Sequence, residues 1–209
     1  VNNFIKNETP KVETMIDIGA GDGKRGKYIA ELLKIKSLTL LDNSNGMIAL
    51  SKNIPNIKFE KLDISNSDFS LDKKYDVAIC LWNVLGHISY GKMGVALKNI
   101  ASVVNKNGII FIDVNNRYNI AYYGLKSVII NLCKDIFLPR KNNGDFIFEI
   151  NTGVKNISTI VHIFNPNEIE NVIKSSGLAI LKRQIIDYET GKIKKNLFGG
   201  QIVYKLSKI

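Results

Sequence analysis

The stretch that most constrains the fold is "MIDIGAGDGKRG", residues 15–26, in which four glycines follow an apolar run. A short apolar run that ends at glycines is typical of a buried strand that turns sharply into a helix. Strand–turn–helix units of this kind open the parallel α/β folds that bind nucleosides. Two loops fit the letters, because a G-x-G-x-x-G string starts at Gly21 and a D-x-G-x-G string starts at Asp17.

Beyond this loop, strand-like runs alternate with stretches of helical periodicity. Strands are expected at residues 13–18, 38–41, 57–62, 77–81 and 109–114, and helices at residues 24–34, 47–52 and 93–104. This alternation predicts βαβ units and a doubly wound, mostly parallel α/β sheet. In such a sheet the ligand binds at the carboxyl ends of the strands.

The pattern changes after residue 116. Residues 120–138 are mostly apolar, but Lys126, Lys134 and Asp135 interrupt them. They therefore predict an amphipathic helix and not a membrane span. The apolar stripe of this helix consists of Leu125, Ile129, Leu132 and Ile136. The rest of the chain is expected to form two strands, a capped helix and an antiparallel strand pair, at residues 146–150, 158–164, 165–176, 178–186 and 202–206.

Composition limits the classes of function. The 209 residues carry a net charge of +10, which raises nucleic acid as a partner, but the lysines are scattered instead of gathered on one stripe. Cys80 and Cys133 have no C-x-x-C partner, which argues against disulfides and metal sites and favours the reducing cytoplasm. The length fits one domain with a sizeable core.

Asp17 distinguishes between the two loops. A dinucleotide site needs the G-x-G-x-x-G string and an acid about 20 residues further on, and Gly21 and Asp42 meet both conditions. This alternative leaves Gly19 unused and places the Asp17 carboxylate beside a pyrophosphate, which it would repel. An acid at this strand end suits a cationic ligand. In that interpretation Gly26 is an incidental residue of the first helix.

Five stretches, in order, resemble the motifs of class I S-adenosylmethionine-dependent methyltransferases: "IDIGAGDG", "LLDNSNGMI", "KLDIS", "YDVAICLWNVLGHI" and "VVNKNGIIFIDV". The later stretch "HIFNPNEIENVIKSSGLAILKR" is similar to the last helix and sixth strand of that family. The resemblance implies a single domain over residues 1–209 with a seven-stranded sheet of order 3-2-1-4-5-7-6, in which strand 7 is antiparallel. It also implies an insertion after strand 5, at residues 116–156, that forms a substrate-side lid.

The same resemblance implies S-adenosyl-L-methionine as the cofactor and no metal. By the family's pattern the cofactor-contact positions are Asp17, Gly19, Gly21, Asp42, Asn43, Met47, Asp63, Ile64 and Leu81. At the second strand end, the Asp42 carboxylate suits the two ribose hydroxyls. At the third, Asp63 suits the exocyclic amine of adenine.

Methyl transfer from a sulfonium needs a base only when the acceptor arrives protonated. His87 follows the fourth strand and is the candidate for catalysis or substrate contact. His162 lies on an apolar strand, and we expect it to be packed and hydrogen-bonded; the alternative is that it borders the substrate cavity and acts as the base. Trp82 is expected either to stack on adenine or the substrate, or to belong to the core.

These features predict a methyltransferase that acts on an O or N atom of a small molecule, because no RNA-binding module is appended. The alternative is an RNA methyltransferase, which the positive charge favours. A non-catalytic binding module is a third class, and the intact set of Asp17, Gly19, Gly21 and Asp42 argues against it. No oligomeric state is predicted.

Overall fold

The computed structural model describes residues 1–51, 57–151 and 156–209. The strands are β1 Thr14–Ile18, β2 Ser37–Asp42, β3 Lys58–Lys61, β4 Tyr75–Cys80, β5 Val104–Val114, β6 Asp145–Asn151, β7 Asn156–His162, β8 Leu178–Ile186, β9 Ile193–Lys194 and β10 Gln201–Lys208. The α-helices are α1 Asn2–Glu8, α2 Lys24–Leu33, α3 Asn45–Ser51, α4 Tyr90–Ser102, α5 Ile120–Tyr123, α6 Leu125–Phe137 and α7 Pro166–Ser175. Short 3-10 helices cover Val84–His87 and Leu197–Gly199. Lys52, the last residue of the helix expected at residues 47–52, lies outside the described residues. Residues 152–155 of the predicted insertion lie outside them as well.

The main sheet has the order β3-β2-β1-β4-β5-β10-β8-β9. The strands from β3 to β5 pair in parallel, and β10 runs antiparallel to both β5 and β8. The predicted doubly wound α/β fold is therefore confirmed, together with the order of its seven strands. An eighth strand, β9, pairs with the end of β8. It is only two residues long, so it leaves no periodic signal in the sequence.

Both faces of the sheet are covered, because the strand residues alternate between two clusters. On one face Ile16 and Ile18 of β1 pack in the cluster that contains Met93 of α4 and Ile169 of α7. On the other face lies Met15, in the cluster formed by α1 and α2. Helix α1 was not predicted, because its seven residues bury only Phe4 and Ile5 and are too short to show a helical period.

The structure corrects one prediction for residues 116–156 and adds one detail. Helix 120–138 is divided into α5 and α6 at Gly124, whose φ of 78° and ψ of 154° lie in a region that favours glycine. Strands β6 and β7 pair only with each other in a separate antiparallel sheet.

A charge cluster, in which Arg117 and His162 are buried and the Asp145 side chain is 41% exposed, joins the predicted insertion to the rest of the domain. It consists of Arg117, Asp135, Asp145, His162 and Glu168. Arg117 is 1% exposed, donates to Asp135 Oδ1 at 3.1 Å and also bonds Glu168. His162 bonds Asp145 through Nδ1 at 2.7 Å and Glu168 through Nε2 at 3.0 Å. Because each buried charge has an opposite partner, the cluster fixes α6, α7 and the β6–β7 hairpin to the loop after β5.

Most of the apolar stripe predicted for α6 faces solvent. Leu125, Ile129 and Ile136 are 58%, 50% and 67% exposed, whereas Leu132 is partly buried. The less exposed side of α6 carries Val128, its buried residue, and Asp135, which bonds Arg117. None of the described helices is long and apolar enough to cross a membrane.

Candidate active site

An acidic cavity of about 360 Å³ lies at the carboxyl ends of β1, β2 and β3. Six of the residues expected at the site line it: Gly19, Asp42, Asn43, Asp63, Ile64 and His87. Its other lining residues include Val84, Ser65 and Lys92, which sequence reasoning did not single out. The cavity forms because the parallel strands end at the same edge and each is followed by a polar turn.

Backbone amides hold the Asp42 carboxylate in place at the end of β2. Gly21 N–H donates to Oδ2 at 2.8 Å, and Ser44 N–H donates to Oδ1 at 2.9 Å. Each carboxylate oxygen has a further lone pair that accepts a hydrogen bond. The side chain is therefore oriented by the glycine loop and is still able to accept two hydroxyl groups from a ligand.

Asp63 forms the opposite side of the acidic cavity. Its Oδ1 accepts the Ser65 N–H at 2.8 Å, and the Asn43 amide donates to Oδ2 at 3.4 Å. Burial opposes ionisation, but the hydrogen bonds from Ser65 and Asn43 outweigh it and hold the pKa of Asp63 below its usual range. The site thus offers a charged acceptor for a ligand N–H group.

The turn after β1 requires glycine for two different reasons. Gly19 and Gly21 have φ of 68° and 57°, which is the left-handed region that disfavours other residues. A Cβ at Gly19 would lie 2.6 Å from the Val84 side chain, whereas a Cβ at Gly21 would meet no atom within 4 Å. Gly19 therefore permits the close approach of the loop after β4, and Gly21 leaves space above the turn.

Asp17 lies beneath helix α2 and does not line the acidic cavity. It is 5% exposed, and a Cβ at Gly26 would lie 2.3 Å from its Oδ2. The interpretation of Gly26 as incidental is wrong, because any larger residue would push α2 away from β1. Burial raises the pKa of Asp17 to about 7, although the Arg25 charge opposes the shift.

Three other expected contact residues also lie outside the lining of the acidic cavity. Gly21 acts on it through its N–H bond to Asp42. Met47 is 41% exposed on α3. Leu81 is 5% exposed and packs in the core at the end of β4.

A second cavity, the Trp82 cavity, has a volume of about 1080 Å³ and opens beside the end of β4. Trp82 is 68% exposed, so the core alternative for this residue is wrong. The Arg25 guanidinium lies 5.1 Å from the centre of its ring, within the range of a cation–π contact. Other lining residues are Asn3, Lys24, Tyr28, Lys182, Gln184, Tyr188 and Lys192.

The backbone that presents Trp82 is held in an unusual conformation. Trp82 and Asn83 have φ of 65° and 57°, a costly conformation for residues other than glycine. Asn83 N–H donates to the buried Asp113 carboxylate at 2.9 Å, and Asn83 Oδ1 accepts the Asn115 N–H at 2.9 Å. The Asn83 side chain also donates to the backbone oxygen of His162 at 3.3 Å. Sequence reasoning missed this support, because the partners are 30 to 79 residues away in the chain.

His162 is packed and hydrogen-bonded, as predicted. It is 3% exposed, and both of its ring nitrogens are engaged by the carboxylates of the charge cluster. Burial disfavours the imidazolium, but the bonds to Glu168 and Asp145 outweigh burial and raise the pKa of His162. Within the described part of the chain, no three His, Cys, Asp or Glu side chains are grouped so as to hold a metal.

A mostly parallel sheet in this strand order, with a glycine loop and two acids at neighbouring strand ends, defines the class I, Rossmann-like methyltransferase fold. Residues 16–110 match the family model described as a methyltransferase domain, which agrees with this fold.

Known proteins that resemble the chain agree with this assignment. A putative methyltransferase, 235L of Invertebrate iridescent virus 6, is 35% identical over 112 residues, which is 48% of this chain and 42% of the relative. The dTDP-3-amino-3,6-dideoxy-alpha-D-glucopyranose N,N-dimethyltransferase of Streptomyces fradiae is 22% identical over 112 residues, which is 53% of this chain and 42% of the relative. The aligned region thus spans less than half the length of each of these two curated relatives.

The fold extends over nearly the whole chain. The crystal structure of a SAM-dependent methyltransferase from Methanosarcina mazei superimposes with a TM-score of 0.72 at 18% identity. The superposition covers 99% of this chain and 97% of that one.

Proposed function

We propose that the chain is an S-adenosylmethionine-dependent methyltransferase with a small-molecule acceptor. The observation that carries the proposal is the acidic cavity, in which Asp42 and Asp63 face the same space beside an open glycine turn. A cofactor with a ribose diol, an amino-purine and a cationic sulfur, but no phosphate, matches the two acids and the glycine turn of this site. Its chemistry is the donation of a methyl group from a sulfonium.

Each expected contact residue has a role in this proposal. Asp42 accepts the ribose hydroxyls, while Asp63, Asn43 and Ile64 receive the adenine. Gly19 and Gly21 allow the backbone to approach the ligand, Asp17 supports the methionine end from below α2, and Met47 and Leu81 border the site. These contacts bind and orient the cofactor, so most of their effect on rate comes from positioning.

The acceptor is proposed to enter the Trp82 cavity. Concave sites of several hundred Å³ are typical of small-molecule ligands, and this cavity is large enough for an acceptor beside the cofactor. Trp82 offers an exposed ring for stacking, and Arg25, Lys182 and Lys192 offer charges to an anionic group. The relative from Streptomyces fradiae is named for N,N-dimethylation of an amino sugar nucleotide, which supports an amine as the acceptor group.

His87 is the proposed base for a protonated amine. It is exposed and lines the acidic cavity, not the Trp82 cavity, so this role requires the acceptor amine to extend into the acidic cavity; both ring nitrogens of His162 are already occupied. Removal of a general base costs about 10²–10⁴-fold in rate. His87→Asn should therefore lower kcat by at least one order of magnitude while cofactor affinity stays within a few fold. Turnover equal to that of the unaltered chain would exclude this role.

Titration calorimetry with S-adenosylhomocysteine tests the cofactor site. Asp42→Asn should weaken binding by roughly tenfold or more, because a charge-assisted hydrogen bond contributes about 1.5–3 kcal/mol. Glu60→Gln, which changes a partly exposed carboxylate on β3, is the matched control and should leave affinity unchanged. Failure of the unaltered chain to bind S-adenosylhomocysteine would refute the proposal.

The alternative, an RNA methyltransferase, is tested by comparing different methyl acceptors in one assay. The +10 charge favours it. Assays with a tritiated methyl donor would compare amino sugar nucleotides, other small amines and total RNA. Transfer to RNA that is steeply salt-dependent, with none to small amines, would replace the small-molecule acceptor and leave the cofactor assignment intact.

A further inference from the structure

Helix α6 presents most of its apolar side chains to solvent, although Val128 is buried. Asn131 and Asp135 point inward, where Asn131 donates to the Arg117 backbone oxygen at 3.3 Å and Asp135 bonds the Arg117 guanidinium. On the outer side, Ile130, Ile136 and Phe137 are 44%, 67% and 75% exposed. The "α6 apolar face" is the set Leu125, Ile129, Ile130, Ile136 and Phe137.

This face lies on one side of the helix. At about 100° per residue, its five members fall within an arc of about 140°, which also contains Cys133 and Lys126. Leu138, the next residue, is 60% exposed and extends the face beyond the helix end. Exposed apolar surface of this extent marks an interaction site, because apolar side chains left in water do not stabilise the fold.

The exposed charged side chains of residues 122–141 are all positive. Lys126, Lys134, Arg140 and Lys141 are exposed along and beyond α6. Asp135 is the sole acid between residues 122 and 141 of the sequence. Its carboxylate is turned away, where it accepts bonds from the Arg117 guanidinium, Tyr118 Oη and the Asn165 amide. The outer surface of α6 therefore combines apolar side chains with uncompensated positive charge.

A polar cavity of about 390 Å³ lies at the end of this helix, between α6 and α7. Ile136, Arg140 and Lys141 line it on the side of the α6 apolar face. Asn165, Asn167 and Asn171 line the other side. The two carboxylates in its wall, Asp135 and Glu168, are already bonded to Arg117, so the cations and amides remain for a negatively charged group.

These observations favour a membrane over a second copy of the chain. A two-fold dimer would place the same face against itself and bring its four cations together without an anion. The most exposed residue of the face, Phe137, lies at the helix end. A helix with outward apolar residues and flanking lysines is the form that lies in a bilayer interface, where anionic lipids attract the cations.

We propose that the α6 apolar face binds the surface of an anionic membrane. Leu125, Ile129, Ile136 and Phe137 enter the interfacial region, and Arg140 and Lys141 contact lipid phosphates at the rim of the polar cavity. The helix lies on the membrane and does not cross it. The proposal is independent of methyl transfer, because neither the acidic cavity nor the Trp82 cavity contributes to it.

Cys133 provides a direct probe. It is exposed on the outer side of α6, and Cys80 is buried, so that an environment-sensitive fluorophore will label Cys133 selectively. The labelled full chain is mixed with vesicles of phosphatidylcholine alone or with about 30% phosphatidylglycerol. We expect a blue shift and co-sedimentation with the anionic vesicles, roughly tenfold weaker with neutral vesicles or at high salt.

Variants separate the contributions of the apolar face and of the charges. Phe137→Ser with Leu138→Ser should weaken binding to anionic vesicles by roughly tenfold or more. Lys126→Gln with Lys134→Gln should weaken it by several fold and reduce its salt dependence. Leu181→Ser removes an apolar side chain that is 55% exposed on β8 and is the matched control, without effect.

Three outcomes would overturn the proposal. The first is that the unaltered chain does not bind anionic vesicles. The second is that the Phe137/Leu138 variant, with an unchanged circular dichroism spectrum, binds them equally well. The third is that the unaltered chain is a dimer that this variant dissociates and does not bind vesicles, in which case a second copy covers the face.

Discussion

Replacing Gly26 by alanine should destabilise the domain, although the same change in most helices is stabilising. In a helix interior, alanine is favoured over glycine by about 1 kcal/mol. At Gly26 the added Cβ would lie 2.3 Å from Asp17 Oδ2 and 2.9 Å from a methyl group of Leu40. Both contacts are shorter than van der Waals distance, and both partners are buried in the sheet.

The magnitude follows from the balance of these two terms. Overpacking of a core costs about 1–3 kcal/mol, and at Gly26 the backbone of α2 or the strand β1 must move. We therefore expect Gly26→Ala to lower the free energy of unfolding by about 1–2 kcal/mol, which corresponds to a fall in Tm of about 2–8 °C for a chain of this size.

Gly94 of α4 provides the matched control. A Cβ there would have Ser176 Oγ as its nearest neighbour, at 3.9 Å, an ordinary contact distance. Gly94→Ala should therefore raise the stability by about 0.5–1 kcal/mol. The two variants thus carry the same chemical change with opposite expected signs.

Urea denaturation followed by circular dichroism is the suitable assay, because the single tryptophan, Trp82, is already exposed and reports little on unfolding. Gly26→Ala at or above the stability of the unaltered chain would refute the steric account of this glycine. Equal destabilisation by Gly94→Ala would show that helix flexibility, and not the contact with Asp17, is what matters.

Two further predictions concern pH. The pKa of Asp17 is raised from 3.8 to about 7, so its ionisation destabilises the folded state progressively as pH rises between these values. Asp17→Asn removes this effect. In urea titrations, the stability that the variant gains over the unaltered chain should grow by about 2–3 kcal/mol from pH 5 to pH 8 and then level off. A pH-independent difference would contradict this assignment. The pKa of His162 is raised, so its stabilisation is complete below its unfolded pKa and is lost as pH rises through the folded pKa; His162→Gln should therefore cost more stability at pH 6 than at pH 9, as thermal melts in matched buffers would show. An equal cost at both values would mean that the imidazolium does not hold the charge cluster together.

Sequence patterns predicted the sheet and most of the acidic cavity because both depend on local periodicity and on chain direction. Alternating strands and helices imply parallel strands, and the ends of parallel strands meet at one edge. For that reason Asp42, Asp63 and Gly19, far apart in the chain, were expected together and line one cavity. The capping box of Asn165 and Glu168 was equally local and is present at the start of α7.

The contacts between distant elements were decided only by the tertiary structure. The helical period of α6 identified an apolar side, but its direction depends on Arg117 and Asp135, whose bond attaches the polar side to the domain. Gly26 looked incidental because the side chain that leaves no room for a Cβ there, Asp17, lies on the neighbouring strand. A sequence thus determines which faces exist, while packing and the pairing of buried charges determine which way each face turns.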